Sequence, residues 1–343
     1  MILSEIAIDT EHERVIECRD DASGYHGFIA VHSTALGPAV GGTRLWTYAA
    51  REDALDDVLR LSRGMTYKAA LAGLPFGGGK AVIIGDTLRI DREAIFRAHG
   101  RFVQHLAGAF ITAEDVGTSP ADLAIVGTET KFAVGQLDPS PETARGVYHA
   151  MRAAAEHLWG SASLNGRTVS VQGCGNVGSH LARELHEAGA SLIVCDRDQA
   201  KARRVAREYG ARAVAPAIIL DADADIFAPC ALGQVFNDAS IPRLRVGIVV
   251  GAANNQLCEP RHADALADRR VLYVPDYVAN AGGIISGTRE LLGWSAERSA
   301  AMVDEIYDVT HRILASARSA GISVLTAADR LAESRLAAAA SGG

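Results

Sequence analysis

The chain has 343 residues, 48% hydrophobic and 22% charged, a length and composition that suit two soluble globular domains better than one. With 34 Lys and Arg against 41 Asp and Glu the net charge is -7, so there is no broad cationic field for nucleic acid or an anionic membrane, and any anion must be bound locally. Cys18, Cys174, Cys195, Cys230 and Cys258 show no Cys-x-x-Cys spacing and call for neither a disulfide frame nor a metal, which fits a reduced cytoplasm; Glu5, Asp9, Glu11 and Glu13 interrupt any signal-peptide run, and no window reaches membrane-spanning length.

In chain order, Arg14 to Cys18 and His26 to Val31 read as strands of a hairpin around the turn-rich Asp20 to Gly24. Leu36 to Arg44, with Gly37, Pro38, Gly41 and Gly42, reads as a loop at the edge of that sheet. Amphipathic helices are predicted over Arg51 to Arg63 and Ala94 to Leu106 from apolar residues at helical spacing. Between them, Leu61 to Lys80 sets Lys68 and Lys80 on either side of a small-residue segment. Lys80 follows Gly77, Gly78 and Gly79 and is expected where a glycine loop enters a short strand, Ala81 to Ile84. A glycine run is kept where main chain must approach something closely, and lysine is seldom buried unpaired. Two readings fit: an anion site or ion pairs, and a glycine turn with two solvated lysines. Phe110 to Thr112 is a further short strand, delivering Ala113 to Thr118 into a loop.

Pro139 and Pro141 disfavour helix in the residues before them and mark a break before a helix near Glu142. The domain expectation is therefore 1–138, then 139–325, then a C-terminal helix and frayed tail over 326–343. Past the break, apolar runs at Thr168 to Val171, Leu192 to Cys195, Ile226 to Ala228, Ile248 to Val250 and Val271 to Val274 alternate with helical patterns, which predicts a parallel sheet covered on both faces. One long helix is expected from Ser295 to Arg318, a last helix after Thr326, and fraying from Ala337 to Gly343.

Strand Thr168 to Gln172 runs into Gly173-Cys174-Gly175-Asn176-Val177-Gly178, followed by a helical pattern. In that context the glycines serve a tight turn, close approach to a pyrophosphate and helix packing, with helix N-terminal amides at the phosphates. The next strand ends at Asp196, at the spacing of an acid that bonds the adenosine ribose, which favours NAD over NADP; Arg197 beside it is able to tolerate a 2′-phosphate. The bland reading is an ordinary strand-to-helix turn.

Gly37 to Arg44, Gly64 to Lys68, Gly77 to Lys80, Thr112 to Gly117, Pro229 to Gly233, Gly251 to Gln256 and Pro275 to Gly283, in this order, resemble the glutamate/leucine/phenylalanine/valine dehydrogenase family, most closely its leucine and valine members, over nearly the whole chain. The resemblance implies an N-terminal α/β catalytic domain plus a doubly wound Rossmann NAD-binding domain with a cleft between them, and a homo-oligomer. It implies Lys80 as catalytic lysine, Asp115 as proton-transfer carboxylate, and Lys68 on the substrate carboxylate with an amide from Asn254 or Asn255. It also implies substrate contacts from Gly41 and Met65, and a side-chain pocket of Val40, Ala113, Ile284 and Gly287. Cofactor contacts follow from Thr143, Gly173, Gly175, Asn176, Val177, Gly178, Asp196, Arg197, Ala231 and Asn280. Thr143 reads equally well as a helix N-terminal residue satisfying backbone amides, and Asn280 as a turn cap.

No pocket position offers a charge for a γ-carboxylate, so the expected substrate is leucine, valine or isoleucine, deaminated to the 2-oxo acid and ammonia. Leucine and valine members usually carry valine at Gly287, so an open pocket leaves phenylalanine or another aromatic as the alternative. A catalytically dead NAD or amino acid sensor would be expected to lose Lys80 or Asp115 first, and a hydroxy-acid dehydrogenase would need a His base and Arg clamp that these glycine-rich loops lack.

Overall fold

The computed structural model describes residues 1–8, 10–86, 89–135 and 137–341. The chain forms two compact units: unit 1 comprises Met1–Asp138, Gly287–Gly293 and Ala332–Gly343, and unit 2 comprises Pro139–Ser286 and Trp294–Leu331.

Unit 1 contains β1 (Ile2–Glu5), β2 (Arg14–Asp20), β3 (Tyr25–Ser33), β4 (Ala39–Trp46), α1 (Arg51–Leu71), β5 (Gly77–Ile84), α2 (Arg92–His105), β6 (Phe110–Glu114) and α3 (Pro120–Gly127). Its sheet runs β1-β2-β3-β5-β4-β6, antiparallel through β5 and parallel from β5 to β6. One face packs Phe28, Ala30 and Val82 against Ala54 and Val58 of α1. The other packs Ala39, Ala81, Ile83 and Phe110 against Phe96, Phe102 and Val103 of α2.

Two segments expected as loops are central strands. Ala39 to Arg44 lies in β4, and Gly77 to Lys80 in β5, so Lys80 sits within a strand and not at the end of a glycine loop. A Cβ on Gly77 would fall 1.9 Å from Ser33 O, on Gly78 2.0 Å from Thr66 N, and on Gly41 1.7 Å from Gly79 O. The close approach that glycine signals is real, but its partner is the chain's own backbone. Helix α1 also continues past Gly64 to Leu71, because Thr66, Tyr67, Ala69, Ala70 and Leu71 are buried, and packing overrides the weak helix preference of one glycine. Its last carbonyls are bonded by Arg335, whose Nη1 donates to Ala70 O at 2.6 Å and Leu71 O at 2.7 Å.

Unit 2 holds α4 (Ser140–Trp159), β7 (Thr168–Gln172), α5 (Asn176–Glu187), β8 (Ser191–Cys195), α6 (Gln199–Tyr209), β9 (Arg212–Ala213), β10 (Ile226–Pro229), β11 (Ile248–Val249), α7 (Arg261–Asp268), β12 (Leu272–Tyr273) and α8 (Asp276–Ala279). There follow α9 (Gly282–Leu292), which passes into unit 1 at Gly287, then α10 (Ala296–Asp304) and α11 (Ile306–Ala320), and last α12 (Val324–Ser341), which passes into unit 1 at Ala332. The sheet is parallel throughout, in the order β12-β11-β10-β7-β8-β9. Strand β7 is flanked by β8 on one side and β10 on the other, so the order reverses at its carboxyl end, where doubly wound sheets bind ligands. The single helix expected from Ser295 is two: the chain turns at Glu305, whose N–H reaches both Ala301 O and Val303 O, so that Val303 and Ile306 are both buried. Residues Ala337 to Ser341, expected to fray, extend the alanine-rich α12; Gly342 and Gly343 lie outside the described residues.

Candidate functional site

In unit 1, register builds a group of candidate residues. Strand β4 pairs with β5 through Val40 and Gly78 and through Thr43 and Ala81, and with β6 through Val40 and Ile111 and through Gly42 and Ala113. Side chains in register share a face, so Val40, Arg44, Lys80 and Ala113 all stand on the face covered by α1. Asp115 follows β6, opposite Arg44. Lys80 Nζ lies 3.0 Å from Asp115 Oδ2, and Arg44 Nε donates to the same oxygen at 3.0 Å. Arg44 Nη1 donates to Asp57 Oδ2 at 2.8 Å, which also accepts from the Tyr48 hydroxyl at 2.7 Å. Thr118 Oγ1 accepts from the Asp115 N–H at 2.9 Å and fixes the turn that presents the carboxylate.

Lys80 is 4% exposed. Burial pushes its amine below the ordinary lysine range; the Asp115 carboxylate opposes that shift and the Arg44 charge adds to it. Burial alone would raise the Asp115 carboxyl, but Lys80 and Arg44 together outweigh it and hold it at about 2. The arrangement is a buried carboxylate with two cations on one oxygen, one of which is able to lose its proton.

Lys68 is half-buried on α1, three turns after Asp57 and on the same helical face. On that face too, a Cβ on Gly64 would meet nothing within 4 Å, and Met65 is partly buried beside it. Gly41 is buried in β4, where the collision with Gly79 O gives it a packing reason of its own. Val40 and Ile284 are buried, Ala113 and Gly287 partly so, and a Cβ on Gly287 would meet nothing within 4 Å.

A separate group of candidate residues lies in unit 2. Gly173 takes φ 104° after β7, and a Cβ on Gly178 would fall 2.0 Å from Gly173 O, so both glycines are fixed by the turn itself. Gly175 differs: nothing lies within 4 Å of its Cβ position, and the N-terminus of α5 opens at Asn176 and Val177. Asp196 accepts from Cys174 N at 2.7 Å and Asp198 N at 2.8 Å, which ties the end of β8 to the turn; Arg197 is exposed next to it. The Cβ of Ala231 lies 3.0 Å from a Cβ placed on Gly173.

Asn280 is 4% exposed; its Nδ2 donates to Ala252 O at 2.9 Å and Asn254 Oδ1 at 2.8 Å, while its Oδ1 is buried with no partner. Asn255 has φ 52°, and its N–H donates to Asp276 Oδ2 at 2.7 Å. Thr143 Oγ1 donates to Pro139 O at 2.7 Å, which engages it at the start of α4 with a carbonyl and not with backbone amides. Gly282 and Gly283 pack against this helix start, where Cβ atoms would meet Glu142 O at 1.9 Å and Thr143 Oγ1 at 2.9 Å. The open Gly175, the helix N-terminus, the anchored Asp196 and the orphaned amide oxygen of Asn280 fit a dinucleotide.

Sequence reasoning gave no role to Arg44, Asp57 or Tyr48. Arg44 lay inside a quoted motif, and the signal that finds it is strand alternation from Val40 through Gly42, which is legible only once β4 is recognised as a strand.

The model of the Glu/Leu/Phe/Val dehydrogenase dimerisation domain matches residues 12–132, and that of glutamate/leucine/phenylalanine/valine dehydrogenase matches 135–200 and 195–342. The chain is 50% identical over 333 residues to a leucine dehydrogenase of Geobacillus stearothermophilus, covering 95% of this chain and 91% of that one. It is 49% identical over 335 residues to a valine dehydrogenase of Streptomyces virginiae, covering 95% and 94%. The crystal structure of L-tryptophan dehydrogenase from Nostoc punctiforme superposes with a TM-score of 0.83 at 45% identity, covering 96% of this chain and 97% of that one.

Proposed function

Since the chain belongs to the glutamate/leucine/phenylalanine/valine dehydrogenase family, we propose that it catalyses the reversible, NAD-dependent oxidative deamination of a branched-chain L-amino acid, leucine, valine or isoleucine, to the 2-oxo acid and ammonia. The observation that carries this reading is the buried Lys80 amine 3.0 Å from Asp115, with Arg44 on the same carboxylate oxygen.

Lys68 anchors the substrate α-carboxylate, helped by Asn254 or Asn255, while Gly41 and Met65 border the amino acid. NAD, when bound, would supply the acceptor for the hydride lost from Cα. The turn from Gly173 to Gly178, with Asp196, Ala231, Thr143 and Asn280, holds that cofactor. Lys80, whose burial and whose neighbour Arg44 both favour the neutral amine, takes a proton from water as the water oxygen adds to the imine carbon of the oxidised substrate. Asp115, ionised throughout the working range, holds the resulting ammonium and relays its proton to the substrate nitrogen. Lys80, neutral again after that transfer, takes the remaining hydroxyl proton as the carbonyl forms and the C–N bond breaks, and ammonia and the 2-oxo acid leave.

The acid at Asp196, already accepting two backbone amides, supports NAD over NADP because its charge opposes a 2′-phosphate; Arg197 beside it is the feature that would relax the preference. The pocket positions Val40, Ala113, Ile284 and Gly287 bear no charge, which supports an apolar side chain. A second reading, an aromatic substrate, is favoured by the room beside Gly287 and by the 45% identity to the tryptophan enzyme. A homo-oligomer is supported by the family model over residues 12–132, which is described as a dimerisation domain. Five free thiols support a reducing cytoplasm, and among the described residues no helix is long and apolar enough to cross a membrane.

Reductive amination with a keto-acid panel, using NADH and NADPH in parallel, tests this reading. The expected result is a higher kcat/KM for 4-methyl-2-oxopentanoate or 3-methyl-2-oxobutanoate than for phenylpyruvate, with NADH preferred. A clear preference for phenylpyruvate puts the aromatic reading first.

A further inference from the structure

We propose that Arg44 is a positioning residue for the reaction, the standing counter-charge of Asp115, which leaves Lys80 able to work as a neutral base. The proposal rests on the roles given above to Lys80 and Asp115.

Arg44 Nε and Lys80 Nζ meet the same atom, Asp115 Oδ2, each at 3.0 Å. The other arm of the guanidinium, Nη1, reaches Asp57 Oδ2 at 2.8 Å. Arg44 is itself mostly buried, with 15% of its side chain exposed. One planar fork therefore joins two carboxylates on two different elements, a geometry open to guanidinium and not to an ammonium.

The charges that bear on Lys80 are Asp115 from the turn after β6, Arg44 from β4 and Asp57 from α1. Glu114 adjoins Asp115 on β6, Tyr48 touches Asp57 with a neutral hydroxyl, and Lys68 lies farther along the same face of α1. Arg60 Nη2 meets Asp57 Oδ1 at 3.3 Å. Within this connected cluster two arginines already balance the two aspartates. The charge on Lys80 is the surplus, and losing its proton brings the cluster to neutrality. Arginine does not deprotonate in proteins, so the salt bridge that holds Asp115 persists whichever form the lysine takes. With Arg44 removed, Lys80 would be the sole cation on Asp115, and its ammonium form would be favoured.

The test is the pH profile of kcat/KM for oxidative deamination of L-leucine with NAD, in which the acidic limb reports the base that must be neutral. Two cations on one oxygen lie within about 6 Å, so the Arg44→Gln variant is expected to move that limb upward by about one pH unit or more. Arg44→Lys, which keeps the charge, is expected to bring it back toward the wild-type position. Asp57→Asn removes a negative charge from the same cluster, and its limb is expected to move downward. NADH binding and thermal melting establish that each variant is folded.

Opposite displacements from Gln at 44 and Asn at 57 are not produced by a purely structural role. A limb that stays in place in folded Arg44→Gln overturns the proposal. If that variant does not fold, an unmoved or raised limb in Asp57→Asn overturns it. Lys80→Ala separates the two levels: turnover retained there removes the base assignment itself, whereas a dead Lys80→Ala enzyme with unmoved limbs removes only the role of Arg44.

Discussion

Gly77, Gly78 and Gly79 of β5 and Gly173, Gly175 and Gly178 after β7 look alike as strings and differ in what surrounds them. In β5 every missing Cβ is replaced by the protein itself, with Ser33 O at 1.9 Å, Thr66 N at 2.0 Å and the Phe110 ring at 2.7 Å. After β7 the outer glycines are set by turn geometry and the middle one faces open space. The first run lets strands and α1 close in until Lys80 has almost no water, and the second leaves open space at the start of α5, the space that the proposed cofactor phosphate would use. A glycine is therefore evidence of a ligand only when the place of its side chain is empty; when that place is full of backbone, the glycine explains burial of a neighbour.

The sharpest way to break this comparison is at the residue that the closed region buries. Lys80→Ala is expected to lower turnover by about a thousandfold while NADH binding, followed by fluorescence titration, stays intact. Retention of a tenth of the activity would move the chemistry elsewhere. Next comes the pair of glycines. Gly78→Ala forces a Cβ onto the Thr66 backbone and should cost about 3 kcal/mol in urea or thermal unfolding. Gly175→Ala should leave stability within about 0.5 kcal/mol and weaken NAD binding by about tenfold. Equal losses of stability in the two would end the distinction between closed and open glycines.

Gly287 extends the rule to the substrate. Gly287→Val is expected to fill an empty position and lower the kcat/KM ratio of phenylpyruvate to 4-methyl-2-oxopentanoate by about tenfold, within the 1–3 kcal/mol that one apolar group is worth. The smallest effect is on acid stability. Asp115 is held at about 2 against an ordinary 3.8, so its folded value lies below its unfolded one. Its contribution is complete above pH 4 and is lost as pH falls toward 2, at up to about 1.4 kcal/mol per unit. Asp115→Asn should flatten the stability curve in that window, and an unchanged slope would mean the carboxylate is not held as described.

Much of unit 2 was legible because alternating apolar runs and helical patterns, with Gly173 to Gly178 and Asp196 in step, leave few arrangements besides a parallel doubly wound sheet. Five of its six strands were read within a residue or two, and the two-residue β9 at the sheet edge, too short to leave an apolar run, was not read. Unit 1 was harder. Local turn chemistry at Leu36 to Arg44 and Gly77 to Lys80 argued for loops, and only long-range pairing with β3 and β6 makes those glycines strands. The ionic cluster followed the same limit. Lys80 and Asp115 were picked out by their motifs, but Arg44 and Asp57 acquire meaning through register and helix packing, which no local pattern in the sequence expresses.

Unit 1 is assembled from three separate stretches, the last of them in α12, where Arg335 bonds the final carbonyls of the helix that carries Lys68. During synthesis, then, the first 138 residues leave the ribosome without the side chain that finishes α1, and the whole of unit 2 is made before Arg335 exists. Unit 1 starts first and is completed last, so a nascent chain acquires its lysine-bearing helix in final form only once α12 has emerged.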